Sequence, residues 1–83
     1  MYGLDVYLSI EDSAWVAGVT NKTIYLWCKP PIQLNSVIVR GQRYVMAEGL
    51  LSYLEDNDRE PRNIQAIRER MKLIRSRAIK IIM

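Results

Sequence analysis

The stretch SIEDSAWVAGVTNKTIYLWCK, residues 9–29, decides the fold because it contains two short helix-forming segments separated by a glycine. Ser9 is a favourable N-cap residue, and Asp12 stands three positions further on, close to a capping-box arrangement. The first segment therefore predicts a helix that begins after Ser9 and ends at Ala17. Gly18 follows as the residue that adopts the left-handed conformation at a helix C-terminus.

A second helix is predicted directly after this glycine. Thr20 is its N-cap, and the helical segment runs from about Asn21 to Lys29. The pair Pro30-Pro31 then stops it, because proline cannot continue the hydrogen bonding of a helix and disfavours a helical preceding residue. Two helices joined by a turn this short have the outline of a helix-turn-helix.

The spacing of Ala14, Gly18 and Ile24 supports that motif. The first helix needs a small residue where the second helix presses on it, the turn needs a positive φ, and the second helix needs a buried branched residue midway. The accompanying core positions carry Ala17, Val19 and Trp27. Only Ser13, where an apolar side chain is common, departs from the pattern. We interpret Trp15, like Trp27, as a core residue.

The segment SVIVRGQRYVM, residues 36–46, predicts a β-hairpin. Val37–Val39 form one strand and Arg43–Met46 the other. Gly41 and Gln42 between them fit a two-residue type II′ turn, with glycine in the first central position.

A third helix is predicted over AEGLLSYLE, residues 47–55, with three leucines facing inward: Leu50, Leu51 and Leu54. The order helix, helix, hairpin, helix predicts a mainly α-helical fold with a small β-hairpin as a wing. We therefore expect a winged helix-turn-helix followed by a C-terminal helix.

The chain is predicted to divide into a module over residues 1–56, a linker over 57–61 and a basic amphipathic helix over 62–83. Apolar residues recur in the last segment at intervals of three and four, the pattern of a coiled-coil seam. They are Ile64, Ile67, Met71, Ile74, Ala78 and Ile81. We expect this seam to pair with another copy of the chain and form an oligomer; folding back on the module is the alternative.

Charge is distributed unevenly between these segments. Residues 1–58 hold four Lys/Arg and seven Asp/Glu, whereas residues 59–83 hold eight Lys/Arg and two Glu, within a net charge of +3. A partner that carries many negative charges must therefore meet the basic tail or a local patch of the module.

The composition excludes much chemistry. With one cysteine and no histidine, the chain can form neither an internal disulfide nor a Cys/His zinc site, and no histidine-activated nucleophile exists. We expect no enzyme activity, no cofactor and no metal, and we interpret Cys28 as a small buried residue. The sequence shows no signal peptide and no apolar run of about 18 residues, so it predicts a cytoplasmic protein without a membrane partner.

The two quoted runs together resemble a known family. YLSIEDSAWVAGVTNKTIYLWCK and VIVRGQRYVMAEGLLSYLE are similar to the helix-turn-helix and to the wing with its following helix in excisionase-like, MerR-type winged-helix proteins. The resemblance covers roughly residues 7–55. It implies a phage excisionase or Cox-type regulator, which bends DNA in recombination and also represses transcription. The Pro30-Pro31 pair, the long link before the wing and the low positive charge on the second helix depart from the family pattern.

If the second helix enters the major groove, its outward residues meet the DNA. We predict contacts from Thr20, Asn21, Lys22, Tyr25, Leu26 and Lys29 on this helix, and from Arg40, Gln42 and Arg43 on the wing. Asparagine and lysine can read adenine and guanine, threonine and tyrosine can bind phosphates, leucine can touch a thymine methyl group, and arginine suits the minor groove. The alternatives are that Tyr25 packs on the wing, that Leu26 is core, and that the arginines keep a strand edge soluble.

The sequence therefore predicts a protein that binds specific double-stranded DNA, cooperatively at repeated sites, and directs an integrase toward excision. One alternative is a simple transcriptional repressor of the same fold. A second alternative, favoured by the acidic balance of residues 1–58, is a protein-binding adaptor with a coiled-coil tail.

Overall fold

Four helices and a four-stranded sheet form the structure, a computed structural model that describes residues 4–57 and 61–82. In chain order the elements are β1 (Leu4–Ser9), α1 (Ile10–Ala17), α2 (Asn21–Trp27), β2 (Ser36–Val39), β3 (Gln42–Met46), α3 (Ala47–Asn57), α4 (Pro61–Ile74), a 3₁₀ turn (Arg75–Arg77) and β4 (Ile79–Ile82). The mainly helical fold with a β-hairpin is confirmed. Two further strands, β1 and β4, were not predicted.

The sheet is antiparallel throughout, with the strand order β2-β3-β1-β4. β1 lies in its centre, where Tyr7 pairs with Met46 on one side and with Ile79 on the other. The sheet therefore joins the first strand of the chain to the last one, and the β2–β3 hairpin extends it on the opposite side.

The predicted limits of α1 are confirmed. The Ser9 hydroxyl accepts a hydrogen bond from the backbone N–H of Asp12 at 3.1 Å. At the other end Gly18 adopts φ 72°, and its N–H donates to the Ala14 carbonyl at 2.8 Å. A residue with a side chain is strained in this left-handed conformation, so glycine sets the end of α1.

α2 begins as predicted and ends earlier than predicted. The Thr20 hydroxyl accepts from the N–H of Thr23 at 3.3 Å, as an N-cap does. The helix stops at Trp27 and Cys28 is its C-cap, so the predicted end at Lys29 is wrong by two residues. The reason is Pro30, because the residue before a proline avoids the helical conformation and the helix frays before reaching it.

The hairpin forms with a different turn from the one predicted. Val39 pairs with Gln42, so Arg40 and Gly41 are the central residues, and both have positive φ, 51° and 79°. Two positive φ values define a type I′ turn, which, like type II′, suits the twist of a hairpin better than types I and II do. The predicted turn over Gly41 and Gln42 would have placed Arg40 directly opposite Arg43, and like charges in that position destabilise a strand pair.

The third helix is confirmed and slightly longer than predicted. α3 extends to Asn57, whose side-chain amide donates to the Tyr53 carbonyl at 2.8 Å. Leu50 and Leu54 are buried and Leu51 is half-buried. The predicted linker over residues 57–61 is in part outside the described residues, because 58–60 are not described.

The predicted tail helix over residues 62–83 is wrong beyond its middle. α4 ends at Ile74, the 3₁₀ turn follows, and the chain then extends as β4. Ala78 and Ile81, the last two residues of the predicted seam, therefore do not lie on a helix. β-branched isoleucines dominate this last segment, and they favour a strand when a neighbouring strand is available.

Three of the four remaining seam residues belong to the protein's own core. Ile67, Met71 and Ile74 are buried, and they form one apolar cluster with residues of the predicted module such as Leu8 and Leu50. Ile64 is half-buried. The seam is therefore not free to pair with a second copy, and the division into a module and a separate oligomerisation helix is corrected: α4 packs on α1 and α3 within one domain.

The two tryptophans differ in environment. Trp27 is half-buried and meets Tyr53 edge to face, with 5.1 Å between the ring centroids. Trp15 is 47% exposed, so its interpretation as a core residue is wrong. It lies on the side of α1 opposite to the buried Ala14 and Val16 positions, where the domain does not cover it. Cys28 is half-buried against the core.

Among the described residues, no helix is both long enough and apolar enough to cross a lipid bilayer.

Candidate nucleic-acid interface

α2 is held to the domain by a narrow contact. Ile24, fully buried, is its one buried residue, while Thr23 and Trp27 are half-buried. α2 packs on α1, and Ala14 and Ile24 belong to the same apolar cluster, as the spacing of these residues predicted. The small side chain at position 14 fits a close approach of the two helices. The rest of α2 faces solvent.

The exposed residues of α2 are the ones predicted to contact DNA. Six positions on the helix and its ends share this exposure: Thr20, Asn21, Lys22, Tyr25, Leu26 and Lys29. Tyr25 is 47% exposed and Leu26 is 55% exposed. Leu26 is therefore not a core residue, and a large part of the Tyr25 ring is free of intramolecular packing.

The polar side chains at the start of α2 differ in whether they already make hydrogen bonds within the protein. The Thr20 hydroxyl accepts from the Thr23 backbone and lies 3.1 Å from the Thr23 hydroxyl. Asn21 and Lys22 make no side-chain hydrogen bond or ion pair with other described residues. Their amide and ammonium groups can therefore bind a partner without first breaking an internal contact.

The surface of α2 is locally basic although the surrounding chain is acidic. The segment 21–29 carries Lys22 and Lys29 and no acidic residue. The acidic residues nearest in the sequence, Glu11 and Asp12, lie in the first turn of α1 instead. Local charge, rather than the net charge of residues 1–58, determines what this face attracts.

The β2–β3 hairpin offers one free cation at its tip, among the residues that the structure describes. Arg40 is exposed and lies in the turn, whereas Arg43 is half-buried and donates from Nη1 to the Ser36 hydroxyl at 2.8 Å. The Gln42 side-chain carbonyl accepts from the Tyr44 hydroxyl at 3.3 Å. Among the described residues of the hairpin, Arg40 is thus available to a partner, while Arg43 and Gln42 already have partners within the hairpin.

A backbone hydrogen bond holds each end of the loop between α2 and the β2–β3 hairpin. The Leu34 N–H donates to the Trp27 carbonyl at 3.0 Å, and the Met46 N–H donates to the Asn35 carbonyl at 2.8 Å. Leu34 is also buried in the core. The long link before the wing is therefore anchored, and it connects the end of α2 to the base of the hairpin.

Arg70 makes a long-range contact that the sequence did not reveal. Its Nε donates to the Val16 carbonyl at 3.0 Å, in the last turn of α1. The same guanidinium lies close to Gly18, because a Cβ on that glycine would be 4.0 Å from its Nη2 nitrogen. α4 thus satisfies a helix-end carbonyl beside the turn that leads to α2. No local signal could have found this contact, since the two residues are 54 positions apart.

The described residues contain no group of three or more His, Cys, Asp or Glu side chains that could hold a metal ion.

Comparison with known proteins identifies no relative: no protein-family model matches the chain, and neither a curated protein nor a solved structure matches it.

Proposed function

We propose that this chain is a winged helix-turn-helix protein that binds double-stranded DNA, with α2 as the recognition helix and the β2–β3 hairpin as the wing. One observation carries the proposal: α2 is anchored through Ile24 while its remaining face is exposed, locally basic and polar at its first turn. A helix that enters the major groove must project in this way, with its N-terminal residues toward the bases.

The exposed groups on α2 suit the chemistry of DNA. The Asn21 amide can form two hydrogen bonds with an adenine edge, and Lys22 can bind a guanine or a phosphate. Thr20 and Tyr25 carry hydroxyls that can donate to phosphates, and Leu26 can contact a thymine methyl group. Lys29 adds a cation at the far end of the helix.

The wing contributes mainly through Arg40. An arginine at a hairpin tip can reach into the minor groove, and its affinity for the groove rises where the groove is narrow. Arg43 and Gln42 contribute less to DNA binding in this proposal, because their side chains are engaged within the hairpin.

The resemblance to excisionase-like proteins extends the proposal to a biological role. We infer a small phage-type factor that occupies repeated sites, bends the DNA, directs an integrase toward excision and represses a nearby promoter. A simple repressor of the same fold is the nearest alternative. A binding site beside a recombination site would support the first role, and a site confined to a promoter would support the second.

Fluorescence anisotropy with a labelled duplex of about 40 base pairs, titrated over a range of salt concentrations, tests DNA binding. We expect binding that weakens steeply with salt, since each neutralised phosphate contributes about 0.9 to the slope of log K against log salt. Lys22→Ala should reduce that slope by about 1, and Asn21→Ala should reduce preference among sequences with little change in slope.

Lys72→Ala is the matched control, because Lys72 is an exposed lysine on α4. Its slope should equal that of the wild type. A slope that falls equally for Lys22→Ala and Lys72→Ala would contradict the assignment of α2 as the recognition helix.

A protein-binding adaptor is the second candidate, and the exposed apolar surface of α2 favours it. Tyr25 and Leu26 together expose an aromatic ring and an aliphatic side chain, and aromatic residues are enriched at protein interfaces. The anisotropy experiment separates the two candidates, because an adaptor binds no duplex even at low salt.

A further inference from the structure

α1 and α4 run antiparallel, and two polar contacts fix their relative position. At one end Arg77, just beyond α4, forms an ion pair with the buried Asp12 at 3.6 Å. At the other end Arg70 donates to the Val16 carbonyl at 3.0 Å. As residue numbers increase along α1, the residue numbers of the neighbouring positions on α4 therefore decrease. Trp15 and Leu73 lie between these two contacts, at about the same level of the helix pair.

A groove of about 350 Å³ lies at this place. Its lining comprises Glu11, Asp12 and Trp15 from α1, with Leu73, Ile74 and Arg77 from α4 and the turn that follows it. Ile74 is buried and forms the apolar floor. Trp15 and Leu73 are the apolar side chains on the two walls.

The walls of this groove expose much of their apolar surface. Trp15 is 47% exposed and Leu73 is 72% exposed, and both belong to the small set of large apolar residues that the described part of the fold leaves uncovered. Single exposed apolar residues are ordinary, whereas a tryptophan and a leucine facing one groove are typical of an interaction surface.

We propose that a second copy of this chain docks on the α1–α4 groove, related by a two-fold axis that lies along the groove. Such an axis places α1 of each copy over α4 of the other. Trp15 of one copy then covers Leu73 of the second copy, and the reverse contact forms at the same time, as an isologous interface requires.

The groove fits a second copy because its two walls complement each other. The α1 wall presents an aromatic ring and the α4 wall presents an aliphatic side chain, so each wall buries the other. The same holds for charge: exposed Glu11 lies on the α1 wall and exposed Arg77 lies on the opposite wall at the same level. The two-fold axis brings Glu11 of one copy to Arg77 of the other, once on each side of the axis and at the same end of the interface.

The expected dimer is weak. The uncovered apolar surface consists mainly of two side chains per copy, which is well below what a stable interface buries. Area alone does not set affinity, and association must also overcome the loss of free motion of two molecules. We therefore expect a dissociation constant on the order of 100 µM. The inference does not depend on the proposed function, since the dimer forms without DNA.

Sedimentation velocity of the full chain at about 10 to 800 µM tests the dimer, spanning the expected dissociation constant. The wild type should shift from monomer toward dimer across this range. Trp15→Gln and Leu73→Gln should each weaken association at least about tenfold, since each removes one half of every apolar contact. A wild type that remains monomeric at the highest concentration would overturn the proposal.

Ile38→Gln is the matched control, because Ile38 is an isoleucine that is 63% exposed on the edge strand β2, away from the groove. It should dimerise as the wild type does. Equal loss of dimer in Ile38→Gln and Leu73→Gln would show a general effect of surface hydrophobicity and would also overturn the proposal.

A charge exchange tests the direction of the two-fold axis. Glu11→Lys and Arg77→Glu should each fail to dimerise alone, because the facing charges are then alike. When the two variants are mixed, the introduced lysine faces the introduced glutamate on one side of the axis and Glu11 faces Arg77 on the other side, so dimerisation should return. Thermal unfolding of each variant checks that it is folded. Two folded variants that do not associate on mixing would exclude this arrangement, and if Arg77→Glu does not fold, the apolar variants decide.

Discussion

At the scale of single residues, Ser13 is the least expected member of the core. It is fully buried in α1, and its hydroxyl has no hydrogen-bond partner among the described residues. A buried hydroxyl without a partner loses its hydrogen bonds to water and gains none in return. The position is also the one where the helix-turn-helix pattern commonly carries an apolar side chain.

We therefore predict that Ser13→Ala raises the free energy of unfolding by about 1 kcal/mol. Urea denaturation followed by circular dichroism measures the change. Ser52→Ala on the exposed side of α3 is the control, because it reports the gain from helix propensity alone, about 0.5 kcal/mol. A loss of stability in Ser13→Ala would mean that the hydroxyl has a bonding role.

Arg70 and Arg68 of α4 both contact other elements, and they differ in what they stabilise. Arg70 bonds a carbonyl at the end of α1, whereas Arg68 pairs with Glu55 while its side chain remains 61% exposed. We predict that Arg70→Met lowers the free energy of unfolding by about 1.5 kcal/mol, since it leaves a helix-end carbonyl without its partner. Arg68→Met should cost about 0.5 kcal/mol or less, because solvent screens an exposed ion pair.

The same pair of variants tests whether the contact of Arg70 with the end of α1 also positions α2 for the proposed DNA binding. Under conditions where both proteins are fully folded, Arg70→Met should weaken duplex binding several-fold while Arg68→Met leaves it nearly unchanged. Equal binding by both variants would limit Arg70 to a structural role.

At the scale of elements, substitutions in the hairpin turn can test stability and the proposed DNA binding separately. We predict that Gly41→Ala lowers the free energy of unfolding by about 1 kcal/mol, because φ at this position is 79°. Arg40→Asn should leave stability unchanged or slightly higher, since asparagine tolerates positive φ and Asn-Gly is a preferred type I′ pair.

Arg40→Asn should nevertheless reduce the salt slope of duplex binding by about 1, since it removes one cation from the tip of the wing. The comparison of thermal unfolding with anisotropy separates the two effects. Unchanged binding by a folded Arg40→Asn protein would show that the wing tip does not contact DNA.

The elements predicted correctly are those that local chemistry determines. Caps at Ser9 and Thr20 and a left-handed Gly18 act over three or four residues, so the sequence alone locates α1 and the start of α2. β1 and β4 pair with each other although most of the chain lies between them, so neither strand is determined by its neighbours in sequence. No hairpin turn joins them that could have indicated the pairing. Ala78 and Ile81 continued the seam spacing by coincidence, since periodicity cannot separate a short apolar run in a strand from one in a helix.

The candidate site was more predictable than the sheet. Outward positions on a helix follow from which residue is buried, and Ile24 fixed the orientation of α2 correctly. Whether a basic side chain is available to a partner cannot be predicted in this way, because it depends on the residues that surround it in the folded structure. Arg43 is engaged by Ser36 and Arg70 by Val16, and neither contact could be read from residue type or spacing.

At the scale of the whole molecule, the acidic segment 1–58 and the basic segment after it contribute to one apolar core. We predict that Ile67→Ala lowers the free energy of unfolding by about 3 kcal/mol, since it opens a cavity in a buried cluster. Ile64→Ala, at a half-buried position of the same helix, should cost about 1 kcal/mol.

The loss in Ile67→Ala should be independent of protein concentration between about 2 and 200 µM, because the side chain packs within its own chain. A loss that shrinks on dilution would instead indicate an intermolecular seam, because dissociation removes the contact from the wild type as well. For the same reason a fragment limited to residues 1–58 should fail to fold, since it lacks three buried core residues: Ile67, Met71 and Ile74.

The pairing of β1 with β4 also has a consequence for synthesis of the protein on the ribosome. Leu4 pairs with Ile82, so the central strand receives its second neighbour only after β4 has been translated. The α1–α2 pair and the hairpin involve near neighbours in sequence and can form early, whereas this closure spans nearly the whole described chain and is slow. Until then β1 keeps an open edge, which a nascent chain commonly shields by binding a chaperone.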